Sequence, residues 1–368
     1  VSSCVSIQRM DNNPQPVLAE KVAPPQIAGY DMSPQGAAQV MVAAPSVQQG
    51  ESQVIQTNQV NSANISDEDL RKSLQELVAS NCCWGKKPAA AMTISGVTPM
   101  NSYHCMWETY MEKRSTSYKK RPYDGEAIDS PNYGPAPLPW DIPVTVPAMF
   151  TEKSINIKVP HTEYVQQCDR CFGRGHVQCT SCHGRGSDPC SSCNGTGWRV
   201  RDNGRESCPF CNGVGRRTCS ICRGSGFKRC PSCEGSGSVV YYINLLVEFV
   251  NHVSNEVIDV SGLPADLIAS ASGYTMCQQT GYHLLPPQEI MYPELQAACV
   301  KLFNEAEGLV NANSERLLQQ RITVRMVPVT KALGSYNSNT FDFWVYGDDR
   351  RCYAPNYPAQ CCCGCSVY

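Results

Sequence analysis

Between positions 168 and 237 the chain writes C-x-x-C-x-G-x-G six times: CDRCFGRG at 168, CTSCHGRG at 179, CSSCNGTG at 190, CPFCNGVG at 208, CSICRGSG at 219 and CPSCEGSG at 230. No other feature limits the fold so tightly. Two cysteines three apart make a knuckle that can aim both sulfurs at one ion, yet they sit too close for an easy structural disulfide. A tetrahedral zinc site takes four soft ligands at about 2.3 Å. Two knuckles therefore complete one site, and six make three. The chain must turn sharply after each pair, and glycine reaches positive φ without a Cβ penalty. Amides released at such turns can point at the sulfurs and stabilise thiolate charge.

The spacing bears on which knuckles meet. First cysteines fall at 168, 179 and 190, then at 208, 219 and 230, a pitch of 11 with a central gap of 18. That gap holds RVRDNGRES, and its Asn203-Gly204 pair favours a tight hairpin turn. Folding back there gives the ligand sets Cys168, Cys171, Cys230 and Cys233; Cys179, Cys182, Cys219 and Cys222; and Cys190, Cys193, Cys208 and Cys211. Sequential pairing, first knuckle with second, stays open, because a uniform pitch makes part of the symmetry automatic. Three zinc ions are the expected cofactor on either reading.

Of the 23 cysteines, 12 lie in the repeats. A secreted disulfide scaffold would be shorter and would not space its cysteines in regular pairs. The expectation is a reduced, intracellular metalloprotein, cytoplasmic with the nucleus left open. The opening VSSCVSIQRMDNN lacks the basic-then-apolar layout of a secretory signal, and what precedes Val1 is left open. No run of about 18 apolar residues occurs, so no transmembrane segment is expected. VVYYINLLVEFV is interrupted by Asn244 and Glu248.

The formal net charge of −2 offers no global attraction to nucleic acid. The block from 168 to 237 carries 11 basic against 5 acidic side chains. Twelve thiolates on three Zn²⁺ would bring it near neutral, so its arginines read as partners of the metal centres and nucleic acid is not expected. The tail cysteines Cys361, Cys362, Cys363 and Cys365 allow lipidation, a further knuckle of Cys362 and Cys365 with Cys82 and Cys83, or plain thiols.

Around the block the organisation is that of an α+β chain. Residues 1–64 are rich in Gln, Pro and Ala and poor in aromatics, which predicts disorder. Residues 65–150 are a helix and a Pro-rich linker region. ISDEDLRKSLQELVASN should form the helix, capped by Ser66, with Leu70, Leu74, Leu77 and Val78 on one face. The basic run Lys113, Arg114, Lys119, Lys120 and Arg121 reads as a solvated face. Residues 151–167 supply an incoming strand, with Ile155, Ile157 and Val159 alternating. Residues 238–350 form a β-rich body in which Val239 to Phe249 alternate in the same way. PELQAACVKLFNEAEGLV should be a helix, and RITVRMVPV and TFDFWVYG strands. Residues 351–368 are a Cys-rich tail. The expected architecture is an elongated, zinc-bound antiparallel hairpin inserted between strands of a mixed β-rich body.

The repeats resemble the DnaJ-type cysteine-rich domain of Hsp40 co-chaperones, in which four copies pair in nested fashion around two zincs; here there are six. The wider layout, from about 80 to the tail WVYGDDRRCYAPNYPAQCCCGC, is similar to the Ssu-two homologue proteins. The resemblance implies binding of unfolded proteins or chaperone partners. An Hsp40 stimulates Hsp70 through a His-Pro-Asp loop, and no such tripeptide occurs. The expected function is therefore a chaperone-like, non-enzymatic zinc protein without Hsp70 activation. A thiol–disulfide oxidoreductase and a zinc-stabilised scaffold are the alternatives. His104, His161, His176, His183, His252 and His283 form no H-x-x-x-H or H-E-x-x-H pattern, so no catalytic residues are assigned. His176 and His183 read as surface side chains.

Overall fold

The computed structural model describes residues 27, 30, 53–56, 65–201, 204–288, 292–310 and 315–360. In chain order the elements are β1 (Gln53–Gln56), α1 (Asp67–Ser80), α2 (Lys87–Ala91), β2 (Thr93–Pro122), β3 (Lys153–Lys158) and β4 (Tyr164–Gln167). Within the repeats come β5 (His176–Gln178), β6 (Ser187–Pro189), β7 (Trp198–Arg201), β8 (Gly204–Ser207), β9 (Arg216–Thr218) and β10 (Phe227–Arg229). After them follow β11 (Ser238–Ile258), α3 (Ala265–Ser270), β12 (Tyr274–Gly281), α4 (Pro293–Val310), β13 (Glu315–Tyr336), β14 (Asn339–Tyr346) and β15 (Arg351–Tyr353). The chain is mixed and strand-rich. It divides into two compact units, one of Val1–Val40, Thr116–Leu138 and Lys158–Asn244, the other of Met41–Ser115, Pro139–Ile157 and Leu245–Tyr368.

The second unit is built on an antiparallel sheet. The strand order runs β1-β12-β13-β2-β11-β3, with β14 pairing β13 and β15 pairing β14. Helix α1 begins as its sequence requires: the Ser66 hydroxyl accepts from the Asp69 amide at 3.2 Å, three acids fill the first turn, and Leu70, Leu74 and Val78 are buried. They pack with Phe341, Phe343 and Val345 of β14 and with Tyr357. Helix α4 buries Leu295, Cys299 and Leu302 against Cys105 and Trp107 of β2 and Ile322 and Val324 of β13.

Four expectations can be set against these elements. The basic run lies within the 30-residue strand β2; Lys119 and Lys120 are exposed as a solvated face would have them, whereas the Arg114 side chain is buried. Charges hid the strand: Glu108 and Glu112 are buried, and each lies directly opposite an arginine of β13, Arg321 and Arg316. Arg114 joins them, pairing with Glu112 at 2.7 Å while donating to the Ile142 carbonyl at 2.8 Å. Charged residues at inward positions erase the period-two signal of a strand. Second, the tail is not separate over 351–360. β15 pairs β14, and Ala354 and Tyr357 are buried in the α1 core. Third, the predicted disorder over 1–64 lies mostly outside the described residues. Within it, Gln53–Gln56 pairs with β12, where Val54 and Ile55 give a local β preference. Fourth, RITVRMVPV is a strand as expected, and it forms the middle of a 22-residue one.

The incoming strand is divided where the chain enters the first unit. β3 ends at Lys158 and β4 begins at Tyr164. Between them His161 takes a positive φ of 60°, and the Thr162 hydroxyl stands in for a ladder group, donating to the Val159 carbonyl at 2.7 Å and accepting from the Ile243 amide at 3.2 Å. β4 pairs antiparallel with the start of β11, Gln167 opposite Ser238. The whole repeat block therefore leaves and returns at one strand pair. The Pro-rich segment is tied to it: Asp129 accepts from the His161 amide and ring, and Glu163 accepts from the Asp129 amide at 2.8 Å.

Candidate metal centres

The repeat block folds back on itself in three rungs: β5 with β10, β6 with β9, and β7 with β8, all antiparallel. Arg201 pairs with Gly204, so Gly204 is already a strand residue; Asn203 of the expected turn lies outside the described residues.

This register gathers the cysteines into three buried tetrads: Cys168, Cys171, Cys230 and Cys233; Cys179, Cys182, Cys219 and Cys222; Cys190, Cys193, Cys208 and Cys211. The arrangement is nested, the folded-back one of the two that the spacing left open. Within each tetrad the sulfurs lie within 4.8 Å of one another. Across the pairing the spans include 3.8 Å for Cys168 to Cys230, 3.6 Å for Cys171 to Cys233, 4.0 Å for Cys179 to Cys219, 3.6 Å for Cys182 to Cys222 and 3.8 Å for Cys193 to Cys211. A metal–sulfur length of about 2.3 Å gives a tetrahedron with edges of about 3.8 Å. The donor set fits a tetrahedral thiolate-bound ion.

The backbone is matched to the same pairing. The first cysteine of each repeat donates its amide to the second glycine of the partner repeat, as in Cys168 to the Gly237 carbonyl at 2.8 Å and Cys230 to the Gly175 carbonyl at 2.9 Å. The second glycine of each repeat in turn donates its amide to its own second cysteine, Gly175 to Cys171 Sγ at 3.3 Å and Gly197 to Cys193 Sγ at 3.2 Å. The turn amides thus face the sulfurs, as the glycine spacing led us to expect. The residue before the first glycine also lies at positive φ in all six repeats: Phe172, His183, Asn194, Asn212, Arg223 and Glu234. The sequence hints at this only through its two asparagines, the side chain that tolerates this region best after glycine.

Thiol acidity follows from these contacts. Burial opposes ionisation of Cys193, yet the Gly197 amide and the neighbouring sulfurs bring it down to about 7. Cys230 reaches about 7 against the same burial through the Cys233 and Ser232 amides. Burial leads the other way at Cys168, pushed up to about 12, and at Cys211, about 11. Four thiolates in one pocket repel, and a divalent cation removes that conflict.

Two of the arginines meet their knuckles at cysteine carbonyls: Arg174 Nε donates to the Cys171 carbonyl and Arg185 Nε to the Cys182 carbonyl, both at 3.2 Å. His176 stands edge-on to Phe227 at 4.9 Å, and neither it nor His183 joins a tetrad. The tail cysteines from 361 onward lie outside the described residues. Among the described residues no helix is long and apolar enough to cross a membrane.

No protein-family profile matches this chain. Among individual proteins, Protein SSUH2 homolog of Danio rerio is 39% identical over 301 residues, covering 82% of each chain. Its Homo sapiens counterpart is 36% identical over 304 residues, 82% of this chain and 80% of that one. A Mus musculus protein of the same name is 32% identical over 111 residues, 30% of this chain and 33% of its own. With shared identity running through four-fifths of both partners in the first two cases, the chain belongs to the SSUH2 homolog family.

Proposed function

We propose that the three tetrads hold zinc, that the block they build is a hairpin of the DnaJ cysteine-rich type, and that it serves as a protein-binding module. It acts without a J-domain, without Hsp70 activation and without thiol chemistry. Bound zinc would neutralise thiolate charge and cross-link a segment whose interior is cysteine rather than hydrocarbon.

The observation that carries the reading is where the block puts its apolar side chains. Phe172 is 69% exposed and Val214 72%, and Trp198, Val200, Phe210 and Ile221 are each more than half exposed. Apolar groups held in solvent on a metal-braced frame suit contact with apolar segments of another protein. Extended clients, unfolded or partner chains, are the fitting class, with strand addition as one mode. An oxidoreductase would need an accessible sulfur, whereas no repeat cysteine is more than 8% exposed. Reduced thiolates fit a cytoplasmic setting.

The test is aggregation of a heat-labile client mixed with the full chain. Zinc-loaded protein should suppress aggregation and chelated protein should not. Absence of suppression in both states, or insulin reduction at a rate typical of oxidoreductases, would overturn the reading. The metal assignment has its own check: after a brief chelator wash, Cys193→Ser and Cys208→Ser should each lack the same single ion, and the double variant no more. Loss of two different ions would contradict the nested tetrad.

A further inference from the structure

We infer that the sheet face carrying Glu108, Tyr110, Glu112, Arg114, Arg316 and Arg321 is a docking groove for an extended, Pro-containing segment of another protein, and that residues 139–151 fill it in cis. The groove uses none of the repeat residues and does not rest on the function proposed for them. Residues 139–151, PWDIPVTVPAMFT, belong to the same compact unit as the strand residues that hold them.

The segment lies on the sheet as a bound peptide would. Ile142 is buried and Val144 and Val146 half-buried, while Asp141, Pro143 and Thr145 are exposed, the period of an extended chain with one face covered. Yet residues 143–147 join no strand, and Pro139, Pro143 and Pro147 have no amide to offer a ladder. Among the described residues no backbone–backbone hydrogen bond ties the segment to the sheet; the Thr151 amide turns back to the Ala148 carbonyl at 3.1 Å.

The sheet holds it by side chains instead. Arg114 donates to the Pro139 carbonyl, and to the Ile142 carbonyl at 2.8 Å. The Tyr110 hydroxyl donates to the Thr151 carbonyl at 2.7 Å. The Trp140 ring takes two guanidiniums, Arg114 at 4.8 Å and Arg316 at 5.4 Å. Phe150 takes Arg321 at 4.1 Å and meets the Tyr110 ring at 5.7 Å. The segment thus supplies rings and carbonyls and the groove supplies cations and donors, and neither set depends on the covalent link between them.

The filled groove carries costs that opening would remove. Glu108 and Glu112 are buried against Arg321, Arg316 and Arg114, and the attraction within buried ion pairs is largely cancelled by their desolvation. Arg316 Nε is buried without a partner. Phe150 is held at a φ of 64°, a strained conformation for an aromatic residue. A contact of this kind can exchange, and the occupant that fits is a chain of the same chemistry: extended, Pro-containing, with an aromatic ring near each end.

The probe is a fluorescent peptide of residues 138–152, added to the full chain. Trp140→Ala/Phe150→Ala in the chain weakens the cis occupant. That variant should bind the peptide at least about tenfold more tightly than wild type, because apparent affinity scales with the open fraction. A peptide with both rings changed to Ala should bind neither protein. Unmodified protein gives a second reading that needs no variant to fold. The Arg114 side chain is buried while the groove is filled, so under native conditions it should react with phenylglyoxal faster than global unfolding allows, and excess peptide should slow the reaction severalfold. Equal binding or no binding by a folded variant, binding of the ringless peptide, or Arg114 labelling only at the rate of global unfolding would overturn the assignment. So would equally tight binding of an acidic peptide without rings, which would make the groove a polyanion site. Dimers of the wild-type chain that exchange residues 139–151 would also overturn it, since the partner would then be a second copy.

Discussion

Gly175 has a φ of 72°, and a Cβ there would lie 2.3 Å from the Gly235 carbonyl oxygen; Gly237 meets the Gly173 carbonyl in the same way. Backbone cannot move aside as a side chain can, so Gly175→Ala should weaken ion binding at the Cys168, Cys171, Cys230 and Cys233 tetrad. The expected cost is on the order of 2–4 kcal/mol, read by chelator competition, with the other two tetrads retained. Phe172 presents the opposite case. It occupies the left-handed region at a φ of 50°, where an L side chain is strained, and it is largely exposed. Phe172→Asn should relieve about 0.5–1 kcal/mol of strain and slow metal loss, while reducing client capture. A variant that is more stable and binds clients equally well would show that this phenylalanine has no binding role.

At the scale of elements, much of what joins the Pro-rich segment to the incoming strand passes through Glu163. Burial works against its ionisation, but the Asp129 amide, Lys158 and Arg121 hold its carboxyl below the ordinary range. A group whose folded pKa is depressed contributes fully above its unfolded pKa, near 4.3 for Glu, and loses that contribution as pH falls through the folded value. Glu163→Gln should therefore destabilise the first unit by about 1–3 kcal/mol at pH 7, with the gap to wild type closing below about pH 4 in denaturant titrations. Gly308 lies in α4 with open space around its Cα, so Gly308→Ala should raise stability by about 0.5–1 kcal/mol. Elements whose apolar periodicity is unbroken, α1, α4 and β11, could be read directly from the residues. β2 could not, because Glu108 and Glu112 are neutralised by arginines more than 200 positions away. β4 was lost for another reason: it spans four residues, Tyr-Val-Gln-Gln, too few to show a period.

For the molecule as a whole, the two units draw cohesion from different sources. The second has hydrocarbon cores around Leu70, Leu74 and Phe343 and around Trp107, Leu295 and Leu302. The interior of the repeat block is sulfur. Chelation should abolish the repeat block's thermal transition and leave that of the second unit within a few degrees; simultaneous loss of both would refute separate cohesion. The same contrast explains what was legible. Metal-ligand spacing is local and strict, so all twelve ligands could be written down from residue numbers, but the choice of nested over sequential tetrads came only with the register of β5 to β10. The strands of the second unit are likewise assembled by long-range pairing that no local pattern encodes. The reciprocal glycine contacts carry a consequence for ancestry. Each rung needs one repeat from either arm, glycine facing carbonyl across the gap. A gene encoding such a ladder can gain or lose repeats only as mirrored couples placed symmetrically about the hairpin tip, since a solitary duplication would strand two thiols with no counterpart. Repeat number in descendants should therefore step through even values.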